Sequence, residues 1–156
     1  LLNQAMQNAK TLLQDRFDHD GVMLTLPVVA CQVQGDSTQL EQVFVNLFSN
    51  ALDALRQVPQ KQITVVVEDS PQQPRVVIRV KDTGPGISAD MQEHLFEPFY
   101  TNKPTGEGLG LGLVICASIV REHGGQLRAE SNEAGAEFIF DLERANEVPG
   151  GGRVNV

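Results

Sequence analysis

Two asparagines four residues apart, Asn46 and Asn50, lie in "VFVNLFSNALDA", where most other positions are apolar. Asparagine is a poor helix former because its side chain competes for backbone hydrogen bonds, so a pair of them in this setting needs a reason. At about 100° per residue, Gln39, Gln42, Asn46, Asn50 and Asp53 fall on one stripe of a helix. A solvated face accounts for that stripe on spacing alone. Carboxamide oxygens also suit a hard cation such as Mg²⁺, which prefers oxygen ligands and keeps several of its waters.

Three further clusters could do chemistry. In "VKDTGPGIS", Asp82 ends a β-branched run and Gly84 and Gly86 follow it. Asp-x-Gly is a common tight turn. The same carboxylate could accept a hydrogen bond from an amino group such as adenine N6, with glycines leaving room for a flat ring, and such a site rejects analogues that lack the donor. In "LFEPFYTNK", Phe96 and Phe99 bracket Pro98 as apolar anchors, and Lys103 supplies a cation. A solvated loop lysine is the plain alternative. Finally, "TGEGLGLGL" places glycine at 106, 108, 110 and 112 and runs directly into "VICASIV". The spacing matches neither a P-loop nor a dinucleotide fingerprint. Glycines entering a helix still present free N–H groups and a partial positive charge to an anion, which makes a phosphate site from main chain.

These clusters must be positioned by regular elements. Residues 1–16 have apolar positions at helical spacing, and "VMLTLPVVACQV" reads as extended segments interrupted by Pro27. A helix is expected from Asp36 to Val58, with Asp36 and Gln39 as its start, closed by Pro59. "QITVVVED" and "PRVVIRVKD" form a hairpin across "SPQQ". The turn-rich stretch 83–107 reads as a long functional loop. Residues 111–122 are apolar nearly all round, as in a buried helix, and Gly124 and Gly125 end it. "GQLRAES" and "GAEFIFDLE" alternate as strands around an "NEAG" turn.

The bulk properties narrow the function. A chain of 156 residues that is 41% hydrophobic carries enough apolar material for one core. Its net charge of −8 argues against nucleic-acid binding, which needs clustered Lys and Arg. Cys31 and Cys116 suggest neither a disulfide framework nor a zinc site. No apolar stretch is long enough to span a membrane, and an aqueous, reducing compartment is expected.

In order, "NLFSNALDA", "DTGPGI", "LFEPFYTNK" and "GEGLGLGL" resemble the N box, first glycine box, F box and second glycine box of the sensor histidine kinase catalytic domain. That domain belongs to the superfamily that includes gyrase, MutL and heat-shock chaperone ATPases. The forms "NALDA" and "EPFYTNKPTGEGLGLGL" are most similar to the branch of nitrogen-regulation and dicarboxylate sensor kinases. The resemblance implies a two-layer α/β (α+β) sandwich of the Bergerat type, a mixed, mainly antiparallel sheet against about three helices, with a flexible ATP lid. It divides the chain into a connecting helix over 1–16 from a missing phosphoacceptor domain, a catalytic domain over 17–144 and a flexible tail over 145–156.

The roles it implies follow residue by residue. Asn50 coordinates Mg²⁺, and Asn46 supports the phosphate and water network. Asp82 binds the adenine amino group, with Gly84, Gly86 and Ile87 shaping the base pocket. Lys103 and the backbone around Gly108, Gly110 and Gly112 hold the triphosphate, and Asp53, Phe99, Thr101, Leu109 and Leu111 line its path. Hydrolytic superfamily members carry a glutamate at the place of Asn46, so slow intrinsic hydrolysis and transfer of the γ-phosphate to an external histidine are implied. His19, His94 and His123 each read as structural, which puts the phosphoacceptor outside the chain. The implied partners are ATP, the histidine-bearing dimerisation domain of the same parent and a downstream response regulator. The implied location is cytoplasmic, with the parent anchored in the inner membrane and no membrane contact by this domain. An ATP-sensing module without phosphotransfer and a slow clamp-type ATPase are the alternatives. Two positions depart from the family pattern. Asp53 stands where many members have a basic residue, leaving phosphate neutralisation to Lys103 and Mg²⁺. Ala136 stands where a threonine hydroxyl usually approaches Asp82, so a water takes that part.

Overall fold

The computed structural model describes residues 1–98 and 111–145. In chain order the elements are α1 (Leu2–Leu12), α2 (Gln14–Asp20), β1 (Met23–Thr25), α3 (Ser37–Ala54), β2 (Gln62–Glu68), β3 (Arg75–Asp82), α4 (Ala89–His94), α5 (Gly112–Glu122), β4 (Leu127–Asn132) and β5 (Gly135–Glu143). Among the described residues the strands form one sheet in the order β1-β2-β3-β5-β4. The β1·β2 pair is parallel and the others are antiparallel. Helices α1, α3 and α5 make the second layer, so the sandwich is the mixed, mainly antiparallel one expected from the resemblance.

Period-two alternation in the strands puts one apolar row against the helices. Ile63 and Val65 of β2, Val76, Ile78 and Val80 of β3, and Phe138, Phe140 and Leu142 of β5 are all buried. Opposite them, α3 buries Leu40, Val43, Phe44, Leu47, Phe48, Ala51 and Leu52 at helical spacing. Phe44 joins the layers edge-on to Phe140, with ring centroids 5.8 Å apart. Burial of a side chain of this size is worth roughly 2–3 kcal/mol. This helix carries both Asn46 and Asn50, so the core fixes the polar stripe by fixing its apolar reverse.

Both ends of α3 are defined by side chains and turns. The Asp36 carboxylate accepts the Gln39 N–H at 2.9 Å, an N-cap. His123, at the end of α5, accepts the Asp36 N–H at Nε2 (3.1 Å), and its Nδ1 faces the Ile119 carbonyl at 2.8 Å. A carbonyl only accepts and an N–H only donates, so these partners set a neutral ring with the proton on Nδ1. The imidazole thereby ties the C-terminal end of α5 to the N-terminal end of α3.

Several boundaries differ from the sequence reading. The helix expected over 1–16 breaks at Leu13, and α2 continues to Asp20, so His19, read as structural, lies on a helix with its ring exposed. Leu2, Ala5, Met6 and Ala9 of α1 are buried within the same core as α3. Helix α3 ends at Ala54, not Val58, because residues 55–58 tighten into turns, with Arg56 N–H on Asp53 O and Val58 N–H on Leu55 O. The stretch read as a long loop contains α4, started by Ser88, whose hydroxyl accepts the Met91 N–H at 3.1 Å. Helix α5 is half-buried rather than enclosed. Cys116, Ile119 and Val120 face the core, and Ile115 is exposed.

Candidate nucleotide site

At one end of the sheet, β3, α3, the 83–87 turn and α4 surround a cavity of 510 Å³, within the range of small-ligand sites. Its wall is apolar through Ala54, Val58, Ile87, Met91, Leu95 and Phe138, and polar through Asn50, Asp53, Arg56, Gln57 and Asp82. Asp82, the last residue of β3, is the one buried charged or polar residue of the described core, 6% exposed. Its Oδ1 accepts the Gly84 N–H at 2.9 Å and the Ala136 N–H at 3.4 Å. Burial pushes the Asp82 carboxyl above its ordinary range, and these two N–H groups partly offset the shift. The Ala136 main chain thus supplies a polar partner at the place where the sequence pattern leads one to look for a threonine hydroxyl.

Two glycines bring the backbone this close. Gly135 has φ +137°, and a Cβ there would stand 1.9 Å from the Asp82 carbonyl oxygen, so only glycine lets β5 begin against the end of β3. Gly86 has φ +86°, and a Cβ there would meet Ser131 Oγ at 2.5 Å. Ser131 in turn accepts the Ile87 N–H at 2.8 Å, pinning the turn that carries Ile87 into the cavity wall. Ser131→Ala is expected to cost about 1 kcal/mol of stability and to weaken adenosine binding about threefold as Ile87 loosens. Thermal denaturation and an adenosine titration check the two effects.

The asparagines of α3 behave differently. Asn50 is half-buried, lines the cavity and makes no side-chain hydrogen bond to the described residues. Asn46, one turn earlier, accepts from Gln42 Nε2 at 2.8 Å and donates to the Gly112 carbonyl at 3.3 Å, linking α3 to the start of α5. Cys116, also beneath Asn46, has its thiol pushed up to about 12 by burial and is a core residue without nucleophilic character at neutral pH. Asp53 is held by Arg16 Nη2 at 2.8 Å and Arg56 Nη2 at 3.4 Å. The sequence reading left phosphate neutralisation to Lys103 and Mg²⁺ and named no partner for this carboxylate. Arg56, three residues along the chain, was within reach of helical spacing, whereas Arg16 is 37 residues away and gave no signal.

Of the residues singled out beforehand, the structure brings Asn50, Asp53, Asp82, Gly86 and Ile87 to one cavity. Gly84 sits beside it, bonded to Asp82, and Asn46 and Gly112 meet each other. Leu111 is the N-cap residue of α5. Phe99, Thr101, Lys103, Gly106, Gly108, Leu109 and Gly110 lie outside the described residues, as does the tail from 146 on. Met91, Leu95 and Ser131 were missed, because a single methionine, leucine or serine in a polar stretch has no periodicity to mark it. Among the described residues, no group of three or more His, Cys, Asp or Glu side chains could hold a metal. None of their helices is long and apolar enough to cross a membrane.

An apolar slot with a buried carboxylate on its wall and a carboxamide beside it has the chemistry to receive a flat, amino-bearing base with a polar extension. The chain belongs to the family described as histidine kinase-, DNA gyrase B- and HSP90-like ATPases, whose model matches residues 35–146. Within it, the chain is 38% identical over 146 residues to the C4-dicarboxylate transport sensor protein DctB of Rhizobium meliloti, covering 92% of this chain and 23% of that one. It is 33% identical to sporulation kinase C of Bacillus subtilis, covering 90% and 32%. The catalytic domain of the histidine kinase ThkA superposes with a TM-score of 0.78 at 30% identity, covering 91% of both chains. The ThkA structure in complex with the response regulator TrrA matches with a TM-score of 0.73 at 28% identity, over 92% of this chain and 40% of that one. The chain is an ATP-binding catalytic domain of the sensor histidine kinase kind and spans about a quarter to a third of the length of these curated relatives.

Proposed function

We propose that this domain binds MgATP and delivers the γ-phosphate to a histidine on a separate dimerisation domain, from which a response regulator is charged in two-component signalling. In this reading Asp82 takes the adenine amino group, Gly84, Gly86 and Ile87 shape the base slot, and Asn50 offers its oxygen to the metal. A lone carboxamide oxygen facing the cavity fits Mg²⁺, which completes its shell with waters and phosphate oxygens. The bound ion supplies charge neutralisation of the triphosphate. Lys103 and the glycines at 108, 110 and 112, with Phe99, Thr101, Leu109 and Leu111, complete the phosphate end. Residues 1–16 lead in from the phosphoacceptor domain, and the parent is anchored in the inner membrane with this domain on its cytoplasmic side.

The observation that carries the reading is Asn46. A carboxamide bonded on both sides, to Gln42 and to Gly112, cannot accept a proton from water. With no base there, the domain's contribution is positioning and electrostatics, which suits in-line transfer to an outside nucleophile rather than hydrolysis. Fusing the chain to a histidine-bearing helical hairpin and supplying ATP is expected to yield acid-labile phosphate on the hairpin and none on the chain alone. ATP turnover by the isolated chain without any such label would favour a hydrolytic clamp. Tight binding with neither product would favour an ATP-sensing module.

A further inference from the structure

We infer that Arg16 is a positioning residue for nucleotide binding, holding and neutralising Asp53 so that the docking of α2 and the occupancy of the cavity depend on each other. The inference rests on the nucleotide reading above. Asp53 is only 14% exposed at its side chain and lines the cavity three residues beyond Asn50, the residue proposed to face the metal and phosphates. A partly buried charge is poorly screened, so an uncompensated carboxylate there would repel phosphate. A chain with a basic residue at this position would attract phosphate instead. Here part of the positive charge comes from another element, at the shorter of the two arginine contacts.

Arg16 uses both ends of its guanidinium. Nη2 reaches Asp53 Oδ1 at 2.8 Å and Nη1 reaches Ser49 Oγ at 3.1 Å, so the planar group lies along one turn of α3 and fixes the carboxylate's orientation. Arg56 contacts the same oxygen, but it sits three residues further along the chain and stays with Asp53 whatever α2 does. Arg16 does not. It belongs to α2, which is separated from α1 by the break at Leu13 and whose one buried side chain is Phe17, packed edge-on to Phe48 at 6.3 Å. Helix α2 is therefore attached to α3 through a ring and a guanidinium, and the guanidinium's partner is a wall of the nucleotide cavity. Any preference of the ligand for a neutralised Asp53 is, by linkage, an equal strengthening of α2 docking.

The test uses the whole 156-residue chain, with a non-hydrolysable MgATP analogue and adenosine as the two probes. Arg16→Gln is expected to weaken the analogue about tenfold, or 1.4 kcal/mol, to leave adenosine within about twofold, and to be partly rescued by Arg16→Lys, which restores the charge but not both contacts. In a D53N background the same Arg16→Gln change is expected to have no further effect. Equal losses for the two probes would show that Arg16 only supports the fold, and an undiminished loss in the D53N background would show that it acts on phosphate directly; either overturns the inference, as does no loss at all. If the parent chain binds neither probe, the nucleotide reading fails and the inference with it. If the parent binds both and only the Arg16 result is negative, the reading stands and the inference alone falls.

Discussion

Asp82→Asn is expected to lose adenosine binding by about 100-fold or more and, at neutral pH, to melt at a higher temperature than the parent chain. The two effects share one cause. The carboxyl is buried, and its pKa is raised by that burial against the help of the Gly84 and Ala136 N–H groups. An acid whose folded pKa lies above its unfolded value keeps more protons when folded, so its contribution to stability is fullest at low pH and is lost as pH rises through the folded pKa. At pH 7 the parent therefore lacks stability that its carboxyl supplies at low pH, a loss asparagine does not suffer, while Oδ1 of the amide still accepts from both N–H groups. The stability gap between variant and parent should be widest at neutral pH and should close as pH falls below the ordinary carboxyl range near about 4. Binding is lost because the amide turns a donor toward the cavity, where an exocyclic amino group needs an acceptor. Adenosine titration and melting curves from pH 4 to pH 8 test both parts. Unchanged affinity, or a variant less stable than the parent at every pH, would contradict the assignment.

Asn50→Ala is expected to abolish binding of a MgATP analogue, by about 100-fold or more, while leaving adenosine within about twofold. Adenosine has no phosphates and makes no demand on the carboxamide. The fold is not expected to suffer. Asn50 has no side-chain partner among the described residues, and alanine is the better helix former by roughly 0.6 kcal/mol. The contrast with Asp82→Asn gives the experiment its force, since one variant loses both ligands and the other only the phosphorylated one. Titrations of the analogue with and without Mg²⁺ decide it. An Asn50→Ala chain that keeps its Mg²⁺-dependent affinity would remove this side chain from the metal's shell.

How much of this was legible in the sequence depended on whether the signal was local. The runs "QITVVVE" and "RVVIRVKD" alternate β-branched residues, and β2 and β3 fall where that alternation puts them. Helix α3 was readable from its apolar spacing and its Asp36 cap. Helix α4 was not, because its six residues, "ADMQEH", make less than two turns and have no apolar stripe. Helix α5 misled in the other direction. Its all-round apolar character suggested enclosure, yet only Cys116, Ile119 and Val120 of the helix are buried. The candidate site was legible where its residues are consecutive, as in "DTGPGI", and illegible where distant segments meet. Nothing near Asp53 announces Arg16, and although the family pattern sets "GAEF" beside Asp82, nothing in it announces that the main chain of Ala136, rather than a water, will bond the carboxylate.

That last meeting has a consequence for how the domain acquires its site. Strands β2 and β3 form one hairpin and β4 and β5 another, each closing a short loop, whereas the Asp82–Ala136 contact closes 54 residues and exists only once the two hairpins zip together. Loop-closure entropy delays such pairings until local structure is in place. The acceptor is then a property of the seam, and neither hairpin possesses it alone. A ligand bound there must hold the whole sheet closed, so at about 100 times its Kd it would raise the free energy of global opening by roughly 2.7 kcal/mol. Amide protons in all four of these strands would then slow their exchange together, as one cooperative unit.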